Sequence, residues 1–218
     1  MKYVVLWLFV LLALPIWTVE SGATTIMIGN FSGSTLSGWK EKQFDGETQY
    51  TFVLDPELQK QVLQAVSHGG ASGLFFEKKI NLEKTPWLHW SWKPKKLITG
   101  INEKDKAGDD YVARIYVVID GGVFFWRTLA LNYVWASSHQ QGKQWDNPYT
   151  SNTQMLAVES GNQNFGRWQY YKRNIREDVL QFLAKDVKYI DAIAIMTDTD
   201  SSGLEAENLY GDIYFTSE

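Results

Sequence analysis

An all-β fold, a two-sheet antiparallel jelly-roll sandwich with one short helix, follows from three observations in the sequence. Apolar and polar residues alternate at period two in segment after segment. Turn-forming runs such as Asp55-Pro56, Gly69-Gly70 and Asp120-Gly121-Gly122 separate those segments. The third observation is aromatic bulk in a chain without cysteine: Trp39, Trp87, Trp90, Trp92, Trp126, Trp135, Trp145 and Trp168. Side chains of that size fill the space between packed sheets, and any surplus provides stacking surfaces for a ligand.

In chain order the alternation predicts strands over 25–31, 39–44, 48–54, 61–67, 73–82, 87–93, 110–119, 123–128, 131–136, 155–159, 167–173, 187–196 and 209–216. The single helix is expected over 176–185, capped by Asn174 with Glu177 reaching back. Val179, Leu180, Phe182 and Leu183 form its apolar stripe. In 87–93, Leu88, Trp90 and Trp92 read as core, with Trp87 and His89 on the other face. In the closing strand, Leu209, Ile213 and Phe215 share one face and Tyr210, Asp212 and Tyr214 the other. The stretch 137–153 is polar and lacks a strand pattern, a length of loop that compact domains keep for binding. Its Trp145 and Tyr149 fit that use.

The N-terminus carries Lys2, an apolar run from Tyr3 to Val19, and small residues at Ser21 and Ala23. This reads as a signal peptide over 1–23, followed by one β-sandwich domain over 24–218. Pro15 and the shortness of the run count against a retained anchor, so no stable membrane insertion is expected after cleavage. Export without disulfides points to a periplasmic or secreted bacterial protein. A net charge of −4 with scattered bases counts against nucleic acid as a partner.

Several clusters offer ligand chemistry. Asp109 and Asp110 open a strand together, and carboxylates suit hydroxyl groups or hard cations; the plain reading is a solvated loop whose acids cap amides or pair with Arg114. Arg114 shares a strand face with Val112, Tyr116 and Val118, so it needs an acid or a ligand. The block 124–138 concentrates Trp126, Arg127, Asn132, Tyr133 and Trp135, a mixture suited to stacking on sugar rings and selecting hydroxyls. Half of these must face the core, and Trp126, Arg127 and Asn132 are expected outside. Asp198 and Asp200 lie in a loop that superficially resembles a calcium loop, but Leu209 occupies the position of the required glutamate, so an Asx-turn is the simpler reading.

Catalytic signals are sparse. His68, His89 and His139 lack zinc spacing, no G-x-S-x-G pattern occurs, and cysteine chemistry is excluded. A lyase would draw on Tyr133, Arg127 and His139, and a glycosidase on two acids whose separation the sequence does not fix.

Five ordered blocks, K-A-G-D-D-Y-V-A-R-I-Y-V-V over 106–118, A-L-N-Y-V-W-A-S over 130–137, R-N-I-R-E-D over 173–178, A-I-A-I-M-T-D-T-D over 192–200 and Y-G-D-I-Y-F over 210–215, resemble a bacterial family of exported proteins, domain of unknown function 3047. That resemblance implies no activity. More loosely, Asn30-Phe31, Gly38-Trp39 and Gly211-Asp212-Ile213-Tyr214-Phe215 resemble galactose-binding-like jelly rolls of the carbohydrate-binding-module type. Ser32 stands where that outline has an acid, which counts against its structural calcium; Asp212 with backbone carbonyls would be what held one. No other cofactor is expected. The sequence reading is thus an exported, non-catalytic domain recognising a glycan or other envelope polymer. The alternatives are a polysaccharide lyase or glycoside hydrolase, and an assembly factor with envelope proteins as partners.

Overall fold

The structure is a computed structural model that describes residues 22–120 and 128–218. The signal-peptide reading of 1–23, the strand expected over 123–128 and the site residues Trp126 and Arg127 fall wholly or mainly outside the described residues.

Two seven-stranded sheets face each other. The first contains β1 (Thr25–Gly29), β3 (Thr48–Asp55), β4 (Lys60–His68), β6 (Trp87–Lys96), β13 (Glu205–Tyr210) and β14 (Ile213–Thr216) in the order β1-β14-β6-β13-β4-β3. A further strand, β11 (Gln169–Asn174), pairs with β6. The second sheet runs β2-β5-β12-β7-β8-β10-β9, with β2 (Trp39–Asp45), β5 (Ala71–Asn81), β7 (Arg114–Ile119), β8 (Leu129–Ala136), β9 (Gln144–Asn147), β10 (Thr150–Ser160) and β12 (Tyr189–Met196). Pairing is antiparallel except between β8 and β10, which run parallel.

The chain alternates between layers, so each strand presents one apolar face inward. Leu88, Trp90 and Trp92 of β6 meet Ile115 and Val117 of β7 and Leu131, Tyr133 and Trp135 of β8 in one buried core. Trp90 lies between Tyr133 and Tyr171, with ring centroids 5.1 and 4.9 Å away. The helix α1 (Ile175–Leu183) begins at Asn174, whose side chain accepts from Glu177 N at 3.3 Å while its amide donates to Glu177 Oε1 at 2.8 Å. Ile175 and Val179 enter the core, whereas Leu180 of the expected stripe is exposed. No helix among the described residues is long and apolar enough to cross a membrane.

Two expectations change. The closing segment 209–216 is two strands, because the chain leaves the ladder at Gly211-Asp212 between β13 and β14. The break reverses the alternation, so Tyr210 joins Ile213 and Phe215 in the core while Leu209 packs outside against Val62 and Trp168. The supposed loop 137–153 contains β9, which pairs with β10, and is anchored at its start by Glu103. The buried Glu103 carboxylate accepts from the amides of Ser137 and Ser138, the Ser138 hydroxyl, and pairs with His139 Nδ1 at 2.6 Å.

Candidate functional site

The outer face of the second sheet carries an open cleft built on cross-strand rows. One row runs Lys42, Gly73, Met196, Arg114 and Val134 across β2, β5, β12, β7 and β8. The next runs Lys40, Phe75, Ala194, Tyr116 and Asn132. Gly73 on β5 and Ala194 on β12 are small, and the Phe75 ring packs beside the space a Cβ at Gly73 would take. The loops carrying Asp109 and Asp110 before β7, and Asp198 and Asp200 after β12, close over one end of it.

Arg114 organises the cleft. Its Nε donates to Asp198 Oδ1 at 2.7 Å, its Nη2 donates to Asp198 Oδ2 and to the Asp109 carbonyl, and its Nη1 donates to Tyr116 Oη at 3.0 Å. Its guanidinium also lies 4.2 Å from the centre of the Tyr111 ring. Burial opposes the charge on Arg114, but the Asp198 carboxylate offsets that cost and holds the guanidinium well above its ordinary value. Burial pushes Asp198 upward against the pull of Arg114. Two N–H donors on two carboxylate oxygens are the geometry of an ionised pair, which is the state assigned to it.

The remaining acids divide by partner. Asp110 is structural: its two oxygens accept from Ser201 N at 3.1 Å and Ser202 N at 2.6 Å, fixing the 198–203 loop. Asp109 Oδ2 accepts from Asn147 Nδ2 at 2.9 Å, while Oδ1 has no hydrogen-bond partner among the described residues and lies 3.8 Å from Arg114 Nη1. Burial raises the Asp109 carboxyl above its usual value, with Arg114 and Asn147 pulling the other way. Asp200 is raised by burial and by the neighbouring Asp110. Carboxylate oxygens of Asp110, Asp198 and Asp200 lie within 4.8 Å of one another. Backbone amides hold Asp110 and Arg114 holds Asp198.

Two exposed rings stand at the mouth, Phe44 at 53 % and Tyr149 at 59 % exposure. They come from opposite edges of the sheet, Phe44 from β2 and Tyr149 from the turn between β9 and β10. Lys106 sits 5.1 Å from the Tyr149 ring and Lys42 5.1 Å from the Phe44 ring, giving each platform a fixed side. The cleft encloses about 410 Å³ and is lined by these rings, Asp45, Asp109, Arg114, Tyr116, Asn147, Asp198 and Asp200.

Five of the residues singled out by sequence therefore meet at this end of the sheet: Asp109, Asp110, Arg114, Asp198 and Asp200. Three others do not form a surface. Tyr133 and Trp135 point between the sheets, where Tyr133 Oη donates to Asp178 Oδ2 at 2.6 Å and Trp135 Nε1 donates to the Gly161 carbonyl at 2.9 Å. Asn132 faces outward but is buried beside its β10 neighbour, with Nδ2 3.5 Å from Met155 Sδ. The expected tryptophan shelf is likewise absent among the described residues, since Trp90, Trp92, Trp135, Trp145 and Trp168 are buried and Trp39 and Trp87 are partly covered. Trp145 instead stacks on His139, with centroids 4.5 Å apart, and packs against Val134 and Met155. Phe44, Asp45 and Tyr116 were not singled out as ligand groups, although Phe44 beside the Asp45-Gly46 turn is a hydrophobe at a strand end with no core role in the pattern.

Over residues 37–214 the sequence matches a family model described as protein of unknown function (DUF3047). The chain belongs to the DUF3047 family. No curated protein matches this DUF3047 chain. Among solved structures it is similar to the family 30 carbohydrate-binding module of a Clostridium thermocellum cellulosomal cellulase, at 12 % identity and a TM-score of 0.50, over 89 % of this chain and 98 % of that one. It is also similar to a glycoside hydrolase domain, Endo-D, from Streptococcus pneumoniae R6, at 10 % identity and a TM-score of 0.43, over 83 % of this chain and 22 % of that one. The DUF3047 chain thus spans about a fifth of the Endo-D domain's length. A family 29 carbohydrate-binding module from Piromyces equi is 11 % identical, with a TM-score of 0.40, over 90 % of this chain and 92 % of that one. At 12 % identity the likeness to the family 30 module establishes the β-sandwich fold of this DUF3047 member.

Proposed function

We propose that this protein is a non-catalytic recognition module of the cell exterior that binds a neutral saccharide of an envelope or wall polymer in the cleft above β12 and β7. The observation that carries the reading is the convergence of Arg114, Asp109, Asp198 and Asp200 between the exposed rings of Phe44 and Tyr149. Sugar rings offer apolar C–H faces to aromatic side chains and hydroxyls to carboxylates and amides. Asp109 Oδ1, buried and without a hydrogen-bond partner among the described residues, is an acceptor for a ligand hydroxyl. Asn147 and Tyr116 hold their neighbours in place and offer further polar atoms. The fold shared with a carbohydrate-binding module is consistent with this use, and the openness of the cleft suits equilibrium binding of a chain passing through it.

The test is binding of the purified protein to a panel of neutral oligosaccharides and insoluble wall polysaccharides, alongside a Phe44→Ala/Tyr149→Ala variant. The reading expects at least one neutral member to bind and to lose at least tenfold in affinity in the variant. It is overturned if no neutral saccharide binds, or if binding survives loss of both rings.

A further inference from the structure

A trough lies on the outer face of the first sheet, away from the cleft. Antiparallel partners place Lys172, His89 and Tyr214 in one row across β11, β6 and β14. The adjacent row is Tyr170, Ser91 and Gly211, where Tyr170 faces Ser91 and Gly211 N donates to the Ser91 carbonyl at 3.0 Å. The row beyond contains Lys93 and Leu209, with the Trp168 ring 5.7 Å from Lys93 Nζ. A small-residue row between two large-residue rows makes a depression of about 410 Å³, within the roughly 300–1,000 Å³ of small-ligand sites. Tyr170, 66 % exposed, stands at one end, and the start of β4 with Lys60 and Gln61 at the other.

Three features of this trough point to a ligand. Gly211 leaves the floor uncovered, since a Cβ there would lie 2.2 Å from Ser91 Oγ. Ser91 is only 7 % exposed and lines the trough, and its hydroxyl makes no hydrogen bond among the described residues. His89 and Tyr214 stack at 4.6 Å and 7°, with His89 Nε2 paired to Thr216 Oγ1 at 2.9 Å, so the wall is rigid and aromatic.

Charge selects the ligand class. Lys60 and Lys172 are exposed and form no ion pair among the described residues; Lys172 Nζ rests 4.9 Å from the Trp87 ring. Among the described residues the one acid lining the trough, Asp212, accepts from Ser32 N through Oδ1 at 2.8 Å and from Ser32 Oγ through Oδ2 at 2.6 Å. We propose that this trough is a second saccharide site, for a sugar ring carrying a carboxylate. Tyr170 and the His89–Tyr214 wall contact the ring, Ser91 and Gln61 its hydroxyls, and Lys60 and Lys172 its carboxylate. The site stands independently of the cleft, where Asp45, Asp109, Asp198 and Asp200 against one arginine repel such an acid.

The experiment is calorimetric titration of the full chain, at low ionic strength, with tetramers of galacturonate, glucuronate and mannuronate and with their carboxyl-reduced counterparts. The expected result is binding of at least one acidic tetramer, at least tenfold weaker for its reduced form, and at least tenfold weaker in Tyr170→Ala and in Lys60→Glu/Lys172→Glu. Affinity falls as salt rises, and the Phe44→Ala/Tyr149→Ala variant binds the acid normally. These substitutions are at exposed positions, so folding is not at stake. The proposal is overturned if no acidic tetramer binds, if acidic and reduced tetramers bind equally, or if the trough variants bind as well as wild type. Acidic and reduced tetramers are compared in the Phe44→Ala/Tyr149→Ala background, where the cleft does not contribute, so failure at one site is distinguishable from failure at the other.

Discussion

Arg114 grips Asp198 through two N–H donors, joining the start of β7 to the loop after β12 in a buried ionised pair. Removing one partner strands the other charge out of water, which costs about 3–5 kcal/mol. Arg114→Met is expected to lower stability by that order in urea denaturation, and Arg114→Met/Asp198→Leu to recover a substantial part. Arg114→Lys, which lacks the planar fork, sits between wild type and Arg114→Met.

Ser32 ties the segment after β1 to the β13–β14 break by supplying both donors to Asp212. Ser32→Ala removes one bond to a half-buried carboxylate and is expected to cost about 1–3 kcal/mol, read as a shift in denaturation midpoint. Because the backbone amide of Ser32 still donates, the loss falls toward the lower end.

Glu103 gives the fold an acid-sensitive anchor. Burial pushes its carboxyl up, but donors from Ser138, His139 and the amides of Ser137 and Ser138 outweigh burial and hold it below its ordinary value of 4.5. A depressed carboxylate stabilises the fold fully above its unfolded value, and that contribution is lost as pH falls through the folded value. Stability measured from pH 7 down to pH 3 is expected to show this loss in wild type. Glu103→Gln is expected to be less stable at pH 7 and to show a shallower acid slope.

Asp109 sets the pH response of the cleft. Its carboxyl is raised above the ordinary 3.8, chiefly by burial. Ionised, it accepts a hydroxyl through a charge-assisted hydrogen bond, which is stronger than the bond the neutral acid accepts, so affinity for a neutral saccharide is expected to fall with decreasing pH at a midpoint above 3.8. Asp109→Asn is expected to weaken binding at pH 7 and to flatten that profile, measured by titration calorimetry across pH 4–8.

The sandwich was legible because β-strand alternation is a local signal, and Leu88, Trp90 and Trp92 fell on the core face as their spacing required. Arg114 was legible too: a cation on an apolar strand face has to find an acid, and it found Asp198. Two kinds of information were not local. A break at Gly211-Asp212 flips every later side chain, and nothing in the alternation of 209–216 marks where it falls. Tyr133 and Trp135 carried the same pattern as surface aromatics, and only the opposing sheet decides that they face inward. The exposed rings of the cleft, Phe44 and Tyr149, lie at opposite sheet edges that sequence order does not bring together.

The most direct measurement is amide chemical-shift mapping of the protein titrated with the neutral oligosaccharide it binds best. Saturable shifts are expected at 44–45, 109–116, 147–153 and 196–201, with 89–91 and 170–172 unmoved. Shifts confined to other surfaces, or no saturable shift with any neutral saccharide, would contradict the assignment of the cleft.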